Sequence, residues 1–257
     1  MEPQDAPGPS FTFAFQPIVD ATTHEVFSYE ALIRGPGNEP AYKVLEQVSA
    51  DRLNVFDQRV RVKAIVLATR LGIDCLLNLN FVPQNVRSAD SSIRTTVDAA
   101  NRTHLPIERI VLEVTEREVI VDQASFAELI NEYRGLGLKV AIDDFGAGYS
   151  GLNLLSNFQP DQIKLDMSLI RGIERHGPRQ AIARAIGQVC FELGIDVIAE
   201  GIETVEEYGW LANAGVRLFQ GYLFAKPAFE AFPPVHYPKT VQPLAMEKVC
   251  DEPLAHE

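Results

Sequence analysis

The chain has 257 residues, 46% of them apolar and 23% charged, and carries a net charge of −12. That length and apolar content suffice for one large α/β domain with a substantial core. The acidic balance argues against a basic groove for polymeric nucleic acid, because such binding rests on Lys and Arg neutralising phosphates.

Three widely spaced cysteines, Cys75, Cys190 and Cys250, suggest neither a disulfide framework nor a zinc knuckle. The sequence contains no run of about 18 apolar residues such as a membrane span needs, so the expected setting is the cytoplasm, with no membrane partner. Residues 1–10 (MEPQDAPGPS) read as a disordered lead-in, residues 11–233 as one folded domain, and residues 234–257, where periodicity fades and prolines gather, as a tail.

In chain order the β-like runs are FTFAFQPIV (11–19), VFSYEALIR (26–34), CLLNLNF (75–81), RIVLEVTE (109–116), KVAIDDF (139–145), QIKLDM (162–167), DVIAEGI (196–202) and LFQGYLF (218–224). Helical candidates follow the second to seventh runs, at 54–71, 91–102, 122–136, 151–157, 178–194 and 204–214. The DATTHE connection between the first two runs is too short for a crossover helix, so those strands should pair antiparallel. Eight strands with outer helices predict a modified TIM (β/α)8 barrel whose first strand is antiparallel. An open doubly wound sheet is the alternative.

Side-chain alternation along strands sorts the residues by face. Ile110, Leu112 and Val114 share one face and Glu113 the other. Likewise Asp143 opposes Ile142, Lys164 and Asp166 oppose Leu165, and the same parity pairs Ser28 with Glu30, Asn78 with Asn80 and Ile198 with Glu200. In a barrel these polar strand ends converge on one rim, collecting Glu30, Asn78, Glu113, Asp143, Asp144, Lys164, Asp166, Glu200 and Gln220.

Singly, each has an ordinary reading: a terminal Glu or Asp as a helix cap, Asn78 as a turn residue, Lys164 with Asp166 as a buried structural pair, Gln220 as a loop partner. Together they pose a charge problem, because clustered carboxylates raise one another's pKa values. Divalent cations remedy it. Oxygen ligands with an Asn amide suit Mg²⁺ or Mn²⁺, and two such ions bridged by a carboxylate form a site for in-line phosphoryl displacement.

The stretch DDFGAGYSG (143–151) also contains G-x-G-x-x-G, with Asp166 beyond it, as a dinucleotide fingerprint would. Paired carboxylates ahead of the glycines would repel a bare pyrophosphate, and the segment from Gly151 to Pro160 is short for the helix that fingerprint requires. The glycines are better read as a tight loop beside the metals.

The signature Glu30-Ala31-Leu32-Ile33-Arg34, together with Gln16-Pro17-Ile18, Asn78-Leu79, Leu112-Glu113-Val114-Thr115-Glu116, the DDFGAGY stretch, Ile163-Lys164-Leu165-Asp166, Ala199-Glu200-Gly201-Ile202-Glu203 and Gln220-Gly221-Tyr222-Leu223-Phe224, resembles the EAL-domain cyclic di-GMP phosphodiesterases over roughly residues 11–230. The resemblance implies a modified TIM barrel that hydrolyses cyclic di-GMP to linear pGpG with two Mg²⁺ or Mn²⁺ ions. It assigns Glu30, Asn78, Glu113 and Asp143 to one ion, and Asp143, Asp144 and Glu200 to the other. Lys164, Asp166, Glu200 and Glu203 become the catalytic group, with Lys164 beside the attacking water. Gln16, Leu32, Arg34 and Gln220 become dinucleotide contacts, and Glu116 steadies the glycine-rich loop. A homodimer is a further implication.

Two rival readings remain within reach of the residues: a catalytically silent cyclic di-GMP receptor or interaction module of the same family, and a metal-dependent barrel acting on another phosphodiester. Gly151 departs from the pattern where a second serine is frequent, and the stretch Gly35–Val48 after Arg34 looks short.

Overall fold

Two antiparallel strands open the fold. β1 (Thr12–Asp20) and β2 (Glu25–Arg34) pair with Gln16 opposite Glu30. Asp20 shapes the turn between them: its Oδ1 accepts the N–H of Thr22 at 2.8 Å and that of Thr23 at 3.3 Å, while His24 adopts a left-handed φ of 56°. Such side-chain to backbone bonds are how Asp makes a tight turn.

The computed structural model describes residues 8–82, 89–115, 123–147, 155–156 and 158–238. After β2 come β3 (Leu76–Asn80), β4 (Ile110–Thr115), β5 (Lys139–Phe145), β6 (Gln162–Leu165), β7 (Asp196–Ala199) and β8 (Leu218–Phe219), each parallel to its predecessor. β8 then pairs antiparallel with β1, so the sheet closes into the expected barrel and the open alternative falls away.

Among the described residues the α-helices with defined bounds are α1 (Ala41–Leu45), α2 (Leu53–Arg70), α3 (Ala89–Thr103), α4 (Gln123–Gly135), α5 (Met167–Ile170), α6 (Gly177–Leu193) and α7 (Val205–Asn213). Five match sequence expectations within two residues at either end; α1 and α5, each about one turn long, were not anticipated. The helix expected at 151–157 lies mostly outside the described residues, as do Glu116, Gly148–Gly151, residues 1–7 of the lead-in and residues 239–257 of the tail. Residues 234–238, expected to begin the tail, lie against the barrel: the His236 N–H donates to Phe224 O at 2.9 Å, and the Tyr237 ring centroid stands 5.0 Å from that of His24.

The eighth run is shorter than its apolar pattern suggests. β8 ends at Phe219 because the chain turns at Gly221, where it presses on the loop after β7: a Cβ there would stand 2.0 Å from Ile202 O. Only glycine permits that approach. The continuing chain adds β9 (Ala228–Phe229), which pairs with Ala14 and Phe15 of β1 on the edge that β8 meets at Val19 and Asp20.

Two apolar layers frame the site. Helices cover the outer face of the strands, burying Leu77, Ile110, Leu112, Val140, Ile142, Ile163 and Leu165. Inside the barrel, a small cluster of Ile18, Ile198 and Leu218 is buried. Each of these stands two residues from Gln16, Glu200 and Gln220 respectively, on the same face by strand alternation. Ser28 and Gln162, two residues before Glu30 and Lys164, are buried on the same inner face, and the charged groups gather at one rim.

A buried ion pair lies in the outer layer. Arg61 of α2 is fully buried, ion-paired with Asp57, donating to Thr96 Oγ1 at 3.0 Å and lying 4.9 Å from the Phe81 ring centroid. It ties α2 to α3 and to the end of β3.

Candidate functional site

Lys164, 1% exposed on β6, is the hub of the rim. Its Nζ lies 2.7 Å from Glu200 Oε1, 2.9 Å from Glu113 Oε1, 3.2 Å from Asp143 Oδ1 and 3.3 Å from Glu30 Oε2. Around it, Asn78 Nδ2 donates to Glu113 Oε1 at 2.8 Å and Gln220 Nε2 to Glu30 Oε2 at 2.7 Å, while Asn80 Nδ2 donates to Glu30 Oε1 at 3.3 Å. Residues 134 positions apart in sequence thus meet within hydrogen-bond distance.

One ammonium cannot balance four carboxylates. Burial, then Glu30, Asp143 and Glu200, push the Glu113 carboxyl well above the usual range against the pull of Lys164. Burial likewise pushes Glu200 up to about 8; Lys164 opposes this, and Asp143 and Glu30 reinforce it. For Lys164 burial disfavours the charge, but Asp143, Glu113, Glu200 and Glu30 outweigh it and raise the pKa well above its ordinary value. The site is short of positive charge.

It also has unused ligand atoms. Among the described residues, Asn78 Oδ1 and Glu113 Oε2 are buried without a hydrogen-bond partner, a costly arrangement for polar oxygens. The carboxylates of Asp143, Asp144 and Glu200 each offer an oxygen within 4.8 Å of the others. Carboxylate and amide oxygens in this number fit hard divalent cations.

Adjacent residues on a regular strand point to opposite faces, so Asp143 and Asp144 should diverge. A register irregularity between Ile142 and Phe145 where β5 pairs with β6, with Asp144 at a left-handed φ of 55°, brings both to one site. Bulges beside active sites re-aim side chains in this way, and Asp is among the residues that tolerate the left-handed region.

Above the cluster opens a cavity of about 340 Å³ lined by Gln16, Glu30, Asp143, Asp144, Lys164, Asp166, Met167, Glu200, Gly201, Glu203, Gln220, Gly221 and Tyr222. Asn78 and Glu113, 0% and 1% exposed, lie beneath it.

An EAL domain family model matches residues 4–227. The chain belongs to the EAL domain family. Among curated relatives, the blue light- and temperature-regulated antirepressor BluF of Escherichia coli is 36% identical over 228 residues, covering 88% of this chain and 57% of the relative. The cyclic di-GMP phosphodiesterase PdeR of the same organism is 36% identical over 137 residues, covering 53% of this chain and 20% of the relative. The chain therefore spans little more than half of the one relative and about a fifth of the other. Among solved structures, a standalone versatile EAL protein from Vibrio cholerae in its c-di-GMP-bound form is 46% identical with a TM-score of 0.83, covering 90% of this chain and 98% of that one. BlrP1 of Klebsiella pneumoniae, in a manganese and cyclic di-GMP complex, is 40% identical with a TM-score of 0.82, covering 89% and 59%.

The EAL signature itself forms the rim-facing half of β2, with Glu30 in the cluster. Leu32 and Arg34, further along the strand, do not line the cavity; Arg34 donates from one terminal nitrogen to Ile33 O at 2.8 Å. Gln16 is held by Ala225 O at 3.2 Å. Asp166 caps α5 by accepting the Ser168 N–H at 2.9 Å, and Glu203 accepts from Arg171 at 2.8 Å.

Sequence reasoning missed Met167 and Tyr222 as cavity residues, although each lies within two positions of an expected site residue. It also passed over Asn80, whose alternation with Asn78 had placed both on one face. No periodicity marks Arg171, which acts from an irregular turn.

Proposed function

We propose that this EAL domain is a phosphodiesterase that hydrolyses one phosphodiester bond of cyclic di-GMP, giving linear pGpG, in the cytoplasm and as a homodimer. What carries the reading is the conjunction of Asn78 Oδ1 and Glu113 Oε2, buried and unpartnered, with the Asp143, Asp144 and Glu200 carboxylates under one cavity. The relatives' names support it: one is a cyclic di-GMP phosphodiesterase, and one solved neighbour holds manganese with cyclic di-GMP.

Glu30, Asn78, Glu113 and Asp143 would hold one Mg²⁺ or Mn²⁺ ion, and Asp143, Asp144 and Glu200 the second. Such a pair supplies Lewis-acid charge to the phosphate and lowers the pKa of an attacking water. Lys164 stabilises the negative charge that grows on the phosphoryl oxygens, where a preformed cation in a buried site is worth far more than in water. Asp166 and Glu203, at the rim, assist the proton movements as water oxygen bonds to phosphorus and the 3′-oxygen leaves as a hydroxyl. Gln16 and Gln220 would orient the dinucleotide from the cavity wall and Leu32 and Arg34 from further out along β2, beyond the cavity, while Glu116 would steady the glycine-rich loop. The paired cations also explain how a chain with net charge −12 can accept an anionic substrate.

Incubating purified protein with cyclic di-GMP and either metal, with chromatographic detection of pGpG, tests the proposal; absence of linear product under both metals at high enzyme concentration refutes it. The similarity to an antirepressor supports a second reading, an EAL module acting through a protein partner. Glu30→Ala separates the two: a catalyst loses hydrolysis, whereas an interaction module keeps its partner.

A further inference from the structure

Two loops of the rim are joined by a carboxylate that lies outside the cavity. Glu207 occupies the third position of α7 and is 2% exposed. With Thr204 it forms a capping box: Thr204 Oγ1 accepts the Glu207 N–H at 3.2 Å, and Glu207 Oε2 accepts the Thr204 N–H at 3.2 Å. Closing the helix end in this way requires nothing more. Yet Oε2 also accepts the Glu203 N–H at 3.1 Å, and Oε1 reaches across to the Gly172 N–H at 3.0 Å, in the turn that follows β6 and α5.

The neighbouring residue reinforces the bridge. Arg171 places one terminal nitrogen 2.8 Å from Glu203 Oε1 and the other 3.7 Å from Glu207 Oε1. Burial disfavours the Glu207 charge, but the N–H groups of Gly172, Glu203 and Thr204, with Arg171, hold its carboxyl below the usual range. The segments so joined are Asp166–Gly172 and Glu200–Thr204, which carry Asp166, Glu200 and Glu203. They abut where Gly201, at φ 67°, meets Met167: a Cβ at 201 would stand 2.9 Å from Met167 Cβ.

We propose that Glu207 is a positioning residue that, through Gly172, Glu203 and Arg171, sets the place of Glu200 and Glu203 relative to Asp166. The inference rests on the phosphodiesterase reading for its catalytic consequence, but not for its structural one. Outer partners that orient metal-binding side chains commonly alter affinity or activity by about 10–100-fold when removed.

The test compares Glu207→Ala, Glu207→Gln and Thr204→Ala in the full chain. Glu207→Ala lowers kcat for cyclic di-GMP and Mn²⁺ affinity, each by about 10–100-fold, leaves KM within about threefold, and speeds amide exchange in both 166–173 and 200–204. Glu207→Gln keeps one acceptor oxygen and recovers part of each loss. Thr204→Ala removes the ordinary cap and lowers the Tm, but leaves kcat and exchange at 166–173 as in wild type.

Wild-type exchange at 166–173 in Glu207→Ala overturns the proposal. So does a Thr204→Ala protein that loses as much activity as Glu207→Ala at an equal fall in Tm. Were the wild type inactive towards cyclic di-GMP, the activity proposal would fall while Mn²⁺ titration and amide exchange still decided the clamp.

Discussion

Asn78 donates through Nδ2 to Glu113 Oε1 at 2.8 Å, while Asn78 Oδ1 and Glu113 Oε2 are buried without hydrogen-bond partners among the described residues. Those two oxygens have lost water and gained nothing in exchange, which is destabilising unless a cation supplies what the protein does not. Asn78→Leu or Glu113→Gln is therefore expected to weaken Mn²⁺ binding by about tenfold or more. Asn78→Leu deletes an orphaned acceptor together with the bond to Glu113 Oε1, two effects of opposite sign, so the metal-free protein should stay within about 1 kcal/mol of wild type. Isothermal titration and thermal melts check both halves.

Lys164 presents the opposite case. Removing it as Lys164→Met leaves Glu30, Glu113, Asp143 and Glu200 without the ammonium they share. Breaking a buried ionic group by deleting one member costs about 3–5 kcal/mol, so the metal-free variant should unfold at markedly lower denaturant. Divalent cation binds only the folded state and should restore part of that loss through mass action. Denaturant melts with and without Mn²⁺ measure it; equal losses in both conditions contradict the charge argument.

The raised carboxyls set a pH dependence. Glu200 is pushed up to about 8, first by burial and then by Asp143 and Glu30, against Lys164. The folded protein thus keeps a proton that the unfolded chain releases near its ordinary value of 4.5, a contribution to stability that is present at low pH and lost as pH rises through about 8. Metal-free protein should accordingly lose stability as pH rises from about 4.5 to about 8, and Glu200→Gln, with no proton to lose, should flatten that decline. Because metal ligands must be deprotonated, Mn²⁺ affinity should rise over the same interval, by up to about tenfold per pH unit for each proton displaced. Titrations in buffers of different ionisation enthalpy count the protons released.

Arg61 is buried in the outer layer and does not line the cavity, so it gives a control. Burial pushes the Asp57 carboxyl up, and Arg61 pulls it down. Arg61→Ala leaves Asp57 without its guanidinium and empties the space against Phe81 and Thr96. Unfolding free energy should fall by about 3–5 kcal/mol with KM for cyclic di-GMP unchanged. The double change Arg61→Met with Asp57→Leu should recover most of that stability, as buried pairs often yield to apolar replacements.

Much of the site was legible because a barrel aligns strand ends. Glu30, Glu113, Lys164 and Glu200 each follow an inward residue by two positions, so alternation placed them on the inner face before any contact was known. Asp144 was legible only as a neighbour of Asp143: alternation sends it to the other face, and the irregular pairing of β5 with β6 reverses that. The eighth strand was overread for a related reason. An apolar run of that length suits a buried strand, and only the contact of Gly221 with Ile202 ends β8 after two residues.

What the sequence determined by itself was the alternation of strands and helices, the antiparallel first pair, and the set of oxygen-bearing residues at strand ends. These follow from periodicity, connection length and residue chemistry, all of them local. Only the tertiary structure decided which of those residues touch: that Lys164 reaches carboxylates from β2, β4, β5 and the residue following β7, that Leu32 and Arg34 lie off the cavity, and that Glu207 joins two loops. Closure of a sheet sets distances between residues a hundred or more positions apart, and no local pattern encodes them.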